Sequence, residues 1–215
     1  MKKLLLILCV AVSASMSAQQ LFFELGRVSS RFEYESSEGK ALENDFPESN
    51  LSAAVGYRLQ LADRIYAVGS ATYSRYETYG SYAVYDLAYN YRADYLGLNL
   101  GAEGEFFKKA GFTFFARLAA EPQFMLNGTR TINNDIEDLK GAEEFDSPFL
   151  FAKGGLGANY CADKNFAITL RYDYGMGFPL NQSEELLRYR TSTISLGILL
   201  NLKRCNYCLK SKSIK

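Results

Sequence analysis

The sequence predicts an all-β fold, with eight antiparallel strands closed into an up-and-down barrel. Composition supports it: sixteen Tyr, fifteen Phe and seventeen Gly stand against only four Pro, a bias that suits strands better than helices. Apolar residues recur with a period of two, so each run carries one apolar and one polar or small face. The runs are joined alternately by long polar stretches and tight turns. After the first residues, no apolar run approaches the ~20 residues that a spanning helix needs.

Met1-Lys2-Lys3, the apolar Leu4–Val12 and the small-residue Ser13–Ala18 have the layout of a signal peptide over residues 1–18, cut after Ala18. Cys9 sits inside its apolar core behind Leu8, which excludes lipidation there. Strand one spans about Leu21–Tyr34, with Phe23 and Leu25 opposite Glu24 and Gly26, and a bulge expected near Val28 to flip its faces. A polar loop, 35–50, leads to strand two, where Leu51, Ala53, Val55, Tyr57, Leu59 and Leu61 oppose Ser52, Ala54, Gly56, Arg58 and Gln60. After the turn at Ala62-Asp63-Arg64, strand three sets Tyr66, Val68, Thr72 and Tyr76 as the apolar face against Ala67, Gly69, Ala71, Tyr73, Arg75 and Glu77.

A tyrosine-rich connection, 78–90, precedes strand four, in which Leu96, Leu98, Leu100 and Ala102 oppose Gly97, Asn99, Gly101 and Glu103. A short turn at Lys108–Gly111 leads to strand five: Phe112, Phe114, Ala116, Leu118, Ala120 and Phe124 against Thr113, Arg117, Ala119, Glu121 and Gln123. Pro122 lacks an N–H and is expected at a rim or bulge. Past the acidic stretch 127–148, strand six alternates Leu150, Ala152, Leu156, Ala158 and Tyr160 with Lys153, Gly155, Gly157 and Asn159. Strand seven alternates Phe166, Ile168, Leu170, Tyr172, Tyr174 and Met176 with Ala167, Thr169, Arg171, Asp173 and Gly175. The last strand is the most regular: Ile194, Leu196, Ile198, Leu200 and Leu202 share one face, and only Leu199 breaks the period.

Alternation does not say which face looks outward. A soluble, secreted lipocalin-like carrier turns its apolar face inward, toward a ligand, whereas a transmembrane β-barrel turns it toward lipid. Three features favour the membrane reading: the polar face is glycine-rich, as a crowded lumen needs; it carries charges of both signs that can pair there; and the closing strand has the membrane pattern set out below, while aromatics that gather near both strand ends suit the interfaces. The predicted lumen residues are Glu24, Arg58, Arg75, Glu77, Glu103, Arg117, Glu121, Lys153, Arg171 and Asp173. Because an eight-stranded interior is only wide enough for side chains to fill, they are expected to form a structural network rather than a conducting path.

Ser195-x-Gly197-x-x-Leu200-x-Leu202 reads polar, any, glycine, any, any, hydrophobic, any, hydrophobic. It resembles the closing-strand signature by which outer-membrane β-barrels are presented to their assembly machinery. From about Leu21 to Leu202 the pattern resembles the small eight-stranded barrels of the OmpA/OmpX type and the outer-membrane-protein β-barrel domain family. The resemblance implies a Gram-negative outer-membrane location after export by the Sec route, short periplasmic turns and long extracellular loops. It also implies contact with outer-membrane lipid, and with the assembly machinery during insertion, as a monomer. Domains follow as 1–18 signal peptide, 19–202 outer-membrane β-barrel and 203–215 basic periplasmic tail.

Enzymes built on such barrels depend on a histidine in the families the resemblance brings in, and this chain has none, so no catalytic residue is assigned. With 24 basic and 24 acidic residues, no basic field points to nucleic acid. No cofactor or metal site is assigned; the acidic run Asn133–Asp138 with Glu143, Glu144 and Asp146 lacks the spacing of a calcium loop. The tail departs from the family pattern by carrying Cys205-x-x-Cys208, read as a disulfide between those two or an incidental pair, with Cys161 as an alternative partner for either. The expected role is structural or surface-interactive, with an unidentified surface or periplasmic protein as partner. A PorT-like barrel accessory to a secretion or assembly apparatus is the alternative within the same fold.

Overall fold

The computed structural model describes residues 19–35, 45–82, 87–132, 135–140, 148–180, 186–202 and 208. The signal segment 1–18 and all of the tail except Cys208 lie outside the described residues. The strands are β1 (Gln19–Glu35), β2 (Asp45–Ala62), β3 (Ile65–Tyr82), β4 (Leu87–Lys109), β5 (Phe112–Ile132), β6 (Asp135–Asp138), β7 (Phe149–Cys161), β8 (Phe166–Pro179) and β9 (Leu186–Asn201). Eight of them form one antiparallel ring. Each pairs with its neighbours in chain order, β4 joins β5, and β9 closes on β1. The short β6 pairs with β5 above the ring, Thr129 opposite Asp138 through Ile132 opposite Asp135.

Leu21 pairs with Leu200 and Leu25 with Leu196 at the β1–β9 seam, so the apolar faces of the first and last strands run on as one surface. That surface points outward. Leu118 is 73% exposed, Leu100 67% and Leu25 64%, and Leu61, Leu156, Leu170, Ile194 and Leu196 are exposed with them. A water-soluble barrel does not leave so continuous an apolar belt uncovered, and the lipocalin-like reading is not favoured. On β4 the outward positions from Leu96 to Phe106 cover about the 9–11 residues that cross a bilayer at a tilt. Phe106, Phe107, Phe112 and Tyr160 are exposed at the short-turn end, and Phe124, Phe178 and Tyr79 toward the other, as interfacial girdles require.

Two of the short turns need residues in the left-handed region: Arg64 has φ 64°, and Ala110 and Gly111 have φ 51° and 86°. Positive φ at both central residues is the turn that matches strand twist in a two-residue hairpin.

Several expectations change. The faces of β3 are reversed: Tyr66, Val68 and Tyr76 are buried inside, and Ala67, Gly69, Ala71, Tyr73, Arg75 and Glu77 face out. Arg75 and Glu77 therefore leave the lumen set. Val28 keeps its inward phase, because β1 pairs with both neighbours without a bulge. Pro122 lies mid-strand rather than at a rim. Its missing N–H falls where the β4–β5 pairing passes from Gly97↔Gln123 to Leu100↔Ala120, while Pro122↔Leu150 holds on the β7 side. The tyrosine-rich connection expected over 78–90 is largely strand, since β3 runs to Tyr82 and β4 starts at Leu87. Cys208 is bonded to Cys161, not to Cys205, with the two Cα atoms 5.4 Å apart; the lumen mouth brings them together although they are 47 residues apart in the chain. Cys205 lies outside the described residues.

Candidate functional site

The lumen is stacked in three layers. The period of two sends every second residue inward, and the sequence fills those positions differently at each height. At the short-turn end, Phe22, Tyr66, Val68, Ala167 and Leu199 pack with Cys161 and Cys208. This layer explains Leu199, which breaks the alternation of β9 because its inward neighbours are apolar. At the loop end, Val28, Tyr76, Ala93, Tyr95, Phe149, Phe151 and Tyr189 form a second cluster. Its rings interlock: Phe149 and Tyr189 lie 4.6 Å apart edge to face, and Tyr76 and Tyr95 5.5 Å apart, separations typical of favourable aromatic pairs.

Between the two apolar layers lies the charge network. Glu121 of β5 is its hub, accepting hydrogen bonds from Thr72 (2.8 Å), Asn99 (2.7 Å), Gln123 (2.6 Å) and Lys153 Nζ (2.8 Å). One carboxylate thus ties β3, β4, β5 and β7. On the opposite wall Arg171 donates to Glu24 (2.9 Å) and, through Nε, to Asp173 (2.6 Å), linking β8 to β1. Arg117 donates to Asn99 Oδ1 (2.6 Å). Toward the short turns Arg58 meets Glu103 at 2.7 Å and Glu105 at 2.8 Å, donates to Gln20, and lies over the Tyr66 ring at 3.4 Å. Lys108 meets Glu105 at 2.6 Å. Opposite charges are thus matched within the lumen, as burial demands. Tyr76 donates to Gln123 (3.0 Å), joining the upper seal to the network.

Of the predicted lumen residues, Glu24, Arg58, Glu103, Arg117, Glu121, Lys153, Arg171 and Asp173 are brought together here. Arg75 and Glu77 are not. Arg75 pairs with Asp94 at 2.6 Å on the outer wall, beside Tyr73, and Glu77 accepts from Asn90. Asn99 and Gln123, on the polar faces in the sequence, and Glu105, two residues beyond Glu103 in the same alternation, join the lumen residues inside. The closing-strand residues occupy the seam: Ser195 and Gly197 face the lumen, and Leu200 and Leu202 the outside. On β6, Glu137 pairs with Arg130 and the Asp138 carboxylate accepts the Lys140 N–H. Asn133, Asn134, Glu143, Glu144 and Asp146 lie outside the described residues.

A cavity of ≈ 40 Å³ lies among Glu24, Asn99, Arg117, Glu121, Lys153 and Arg171, and another of ≈ 20 Å³ lies below it, between Phe22, Arg58, Glu103 and Leu199. Glu24 and Arg117 border both. At about 10–15 Å³ per water centre, the larger has room for about three waters and the smaller for one or two. Glycine makes the packing feasible: a Cβ on Gly157 would collide with the Phe115 ring, and one on Gly97 with Thr72 and Glu121.

No protein-family model matches the chain, and no curated protein matches it. Solved structures do. The outer membrane protein OprG from Pseudomonas aeruginosa is similar with a TM-score of 0.51 and 11% identity, covering 87% of this chain and 98% of that one. Neisserial surface protein A is similar with a TM-score of 0.50 and 11% identity, covering 85% of this chain and 97% of that one. At such identity the likeness is one of fold. Together with the outward apolar belt, it gives this chain the fold of the small eight-stranded outer-membrane β-barrels.

Proposed function

We propose that the protein is a non-enzymatic, monomeric outer-membrane barrel with a permanently filled lumen. Its role is to anchor strand hairpins above the membrane as a structural or surface-interaction element. The observation that carries this reading is the inverted distribution of polarity: an apolar belt outside, and a matched charge network inside, closed at both ends by buried aromatic and aliphatic layers. A barrel filled in this way spends its interior on stability, leaving the extended hairpins beyond the belt as the part free to meet a partner. The absence of histidine supports the non-enzymatic reading. Export through the Sec route rests on the N-terminal Met1–Ala18 pattern, and hand-over to the assembly machinery on Ser195, Gly197, Leu200 and Leu202.

The test is fractionation and gel mobility of the full chain expressed in a Gram-negative host. The reading expects retention in the outer-membrane fraction, loss of residues 1–18, and a faster band in unheated detergent samples than in boiled ones. A soluble periplasmic protein without heat-modifiable migration contradicts it. Crosslinking from intact cells through the β3–β4 hairpin then identifies the surface partner.

A further inference from the structure

The short-turn mouth of the barrel is stopped by a residue from beyond the last strand. β9 ends at Asn201, yet Cys208 is 1% exposed inside the mouth, packed with Phe22, Tyr66, Val68, Ala167 and Leu199. It is bonded to Cys161, the last residue of β7, which also points inward and is 2% exposed. Phe22, Val68 and Leu199 are at the same time walls of the lower cavity. Cys208 therefore belongs to the apolar layer that closes the lumen at the short-turn end.

One small side chain buries too little apolar surface to stay seated in the mouth unaided. The covalent bond supplies the hold. We propose that Cys208 is a disulfide-held stopper of the short-turn mouth, released by a dithiol reductant. In the release step a thiolate of the reductant attacks one sulfur of the Cys161–Cys208 bond, and the other sulfur leaves as a thiolate. The reductant's second thiol then displaces the remaining sulfur and closes the reductant's own disulfide. Two electrons pass from the dithiol to the cystine, and its two protons end on the two freed thiols. Resealing is the reverse exchange with an oxidised dithiol protein.

The experiment uses the full chain with Cys205→Ser, folded in detergent micelles and probed with a bulky water-soluble maleimide, with modification of Cys161 read by mass. A chain ending at Leu202 gives the open-mouth rate. In the unreduced protein a Cys161–Cys208 crosslinked peptide is expected and neither cysteine labels. After treatment with a dithiol, Cys161 should label within about threefold of the open-mouth rate, since nothing but local opening then limits access. Cys208→Ser should give the same rate without reductant, and the retained unheated gel mobility reports that each barrel is folded. Three results overturn the proposal. The first is a reduced or Cys208→Ser chain that labels more than about tenfold slower than the open-mouth chain, because packing then holds the stopper without the bond. The second is a chain ending at Leu202 in which Cys161 stays unlabelled, because Cys208 then stops nothing. The third is a Cys205–Cys208 crosslink in the unaltered protein.

Discussion

Replacing Arg171 with Leu probes the network where it links the first and eighth strands. Arg171 donates to Glu24 at 2.9 Å and to Asp173 at 2.6 Å, and both carboxylates are buried, 6% and 8% exposed. Removing one partner of a buried ion pair costs about 3–5 kcal/mol, because the remaining charge is left uncompensated. Two carboxylates are stranded here, but Arg117 borders the same cavity and offsets part of the loss. The expected cost is therefore about 3 kcal/mol. The triple change Arg171→Leu, Glu24→Gln, Asp173→Asn removes the charges together and is expected to fall within about 1 kcal/mol of the parent, since no ion is left buried alone. The assay is urea unfolding of the barrel in lipid vesicles, followed by the loss of the fast band in unheated gels. A single variant costing less than about 1 kcal/mol, or a triple variant as unstable as the single one, refutes the view that ion pairing stabilises this layer.

Other sites give independent expectations by the same unfolding assay. Gly157→Ala forces a methyl into the Phe115 ring and should cost about 1–3 kcal/mol by overpacking. Gly104→Ala, where a Cβ meets nothing within 4 Å, should be neutral or slightly stabilising. Ala110→Gly relieves a non-glycine residue at φ 51° and should stabilise the β4–β5 turn by about 1 kcal/mol. Arg75 and Asp94, with side chains 30% and 16% exposed, should couple by no more than about 1 kcal/mol in a double-mutant cycle.

How much of this was legible in the sequence follows from what faces the lumen at each height. In the middle layer the lumen is charged or glycine-lined, so the alternation of β2, β4, β5, β7 and β8 named the faces correctly. At the two ends the lumen is apolar, and polarity no longer marks direction. Tyr66, Val68 and Tyr76 on β3 looked like a lipid face because they are larger than the outward Ala67, Gly69 and Ala71, and Leu199 looked like an irregularity. The register between neighbours, Ala67 with Leu59 and Gly69 with Leu100, resolves what hydrophobicity did not. Strand ends were missed for a related reason: above the lipid belt a ladder needs hydrogen bonds but no apolar face, so β3 and β4 continue through residues that read as loop. The Cys161–Cys208 bond was one of the pairings the sequence left open, since Cys161, Cys205 and Cys208 offer several and only the mouth of a closed barrel selects this one.

The central claim, a lumen sealed by two apolar layers around a matched charge network, is tested most directly by single-channel recording of the full chain in planar bilayers. The account predicts no resolvable conductance steps, before or after reduction of the disulfide, because the Tyr76–Tyr95–Tyr189 layer remains closed. It predicts that steps emerge only when that layer is also opened, as in reduced Tyr76→Ala, Tyr189→Ala protein. Reproducible conductance steps in the unaltered, oxidised protein would contradict it.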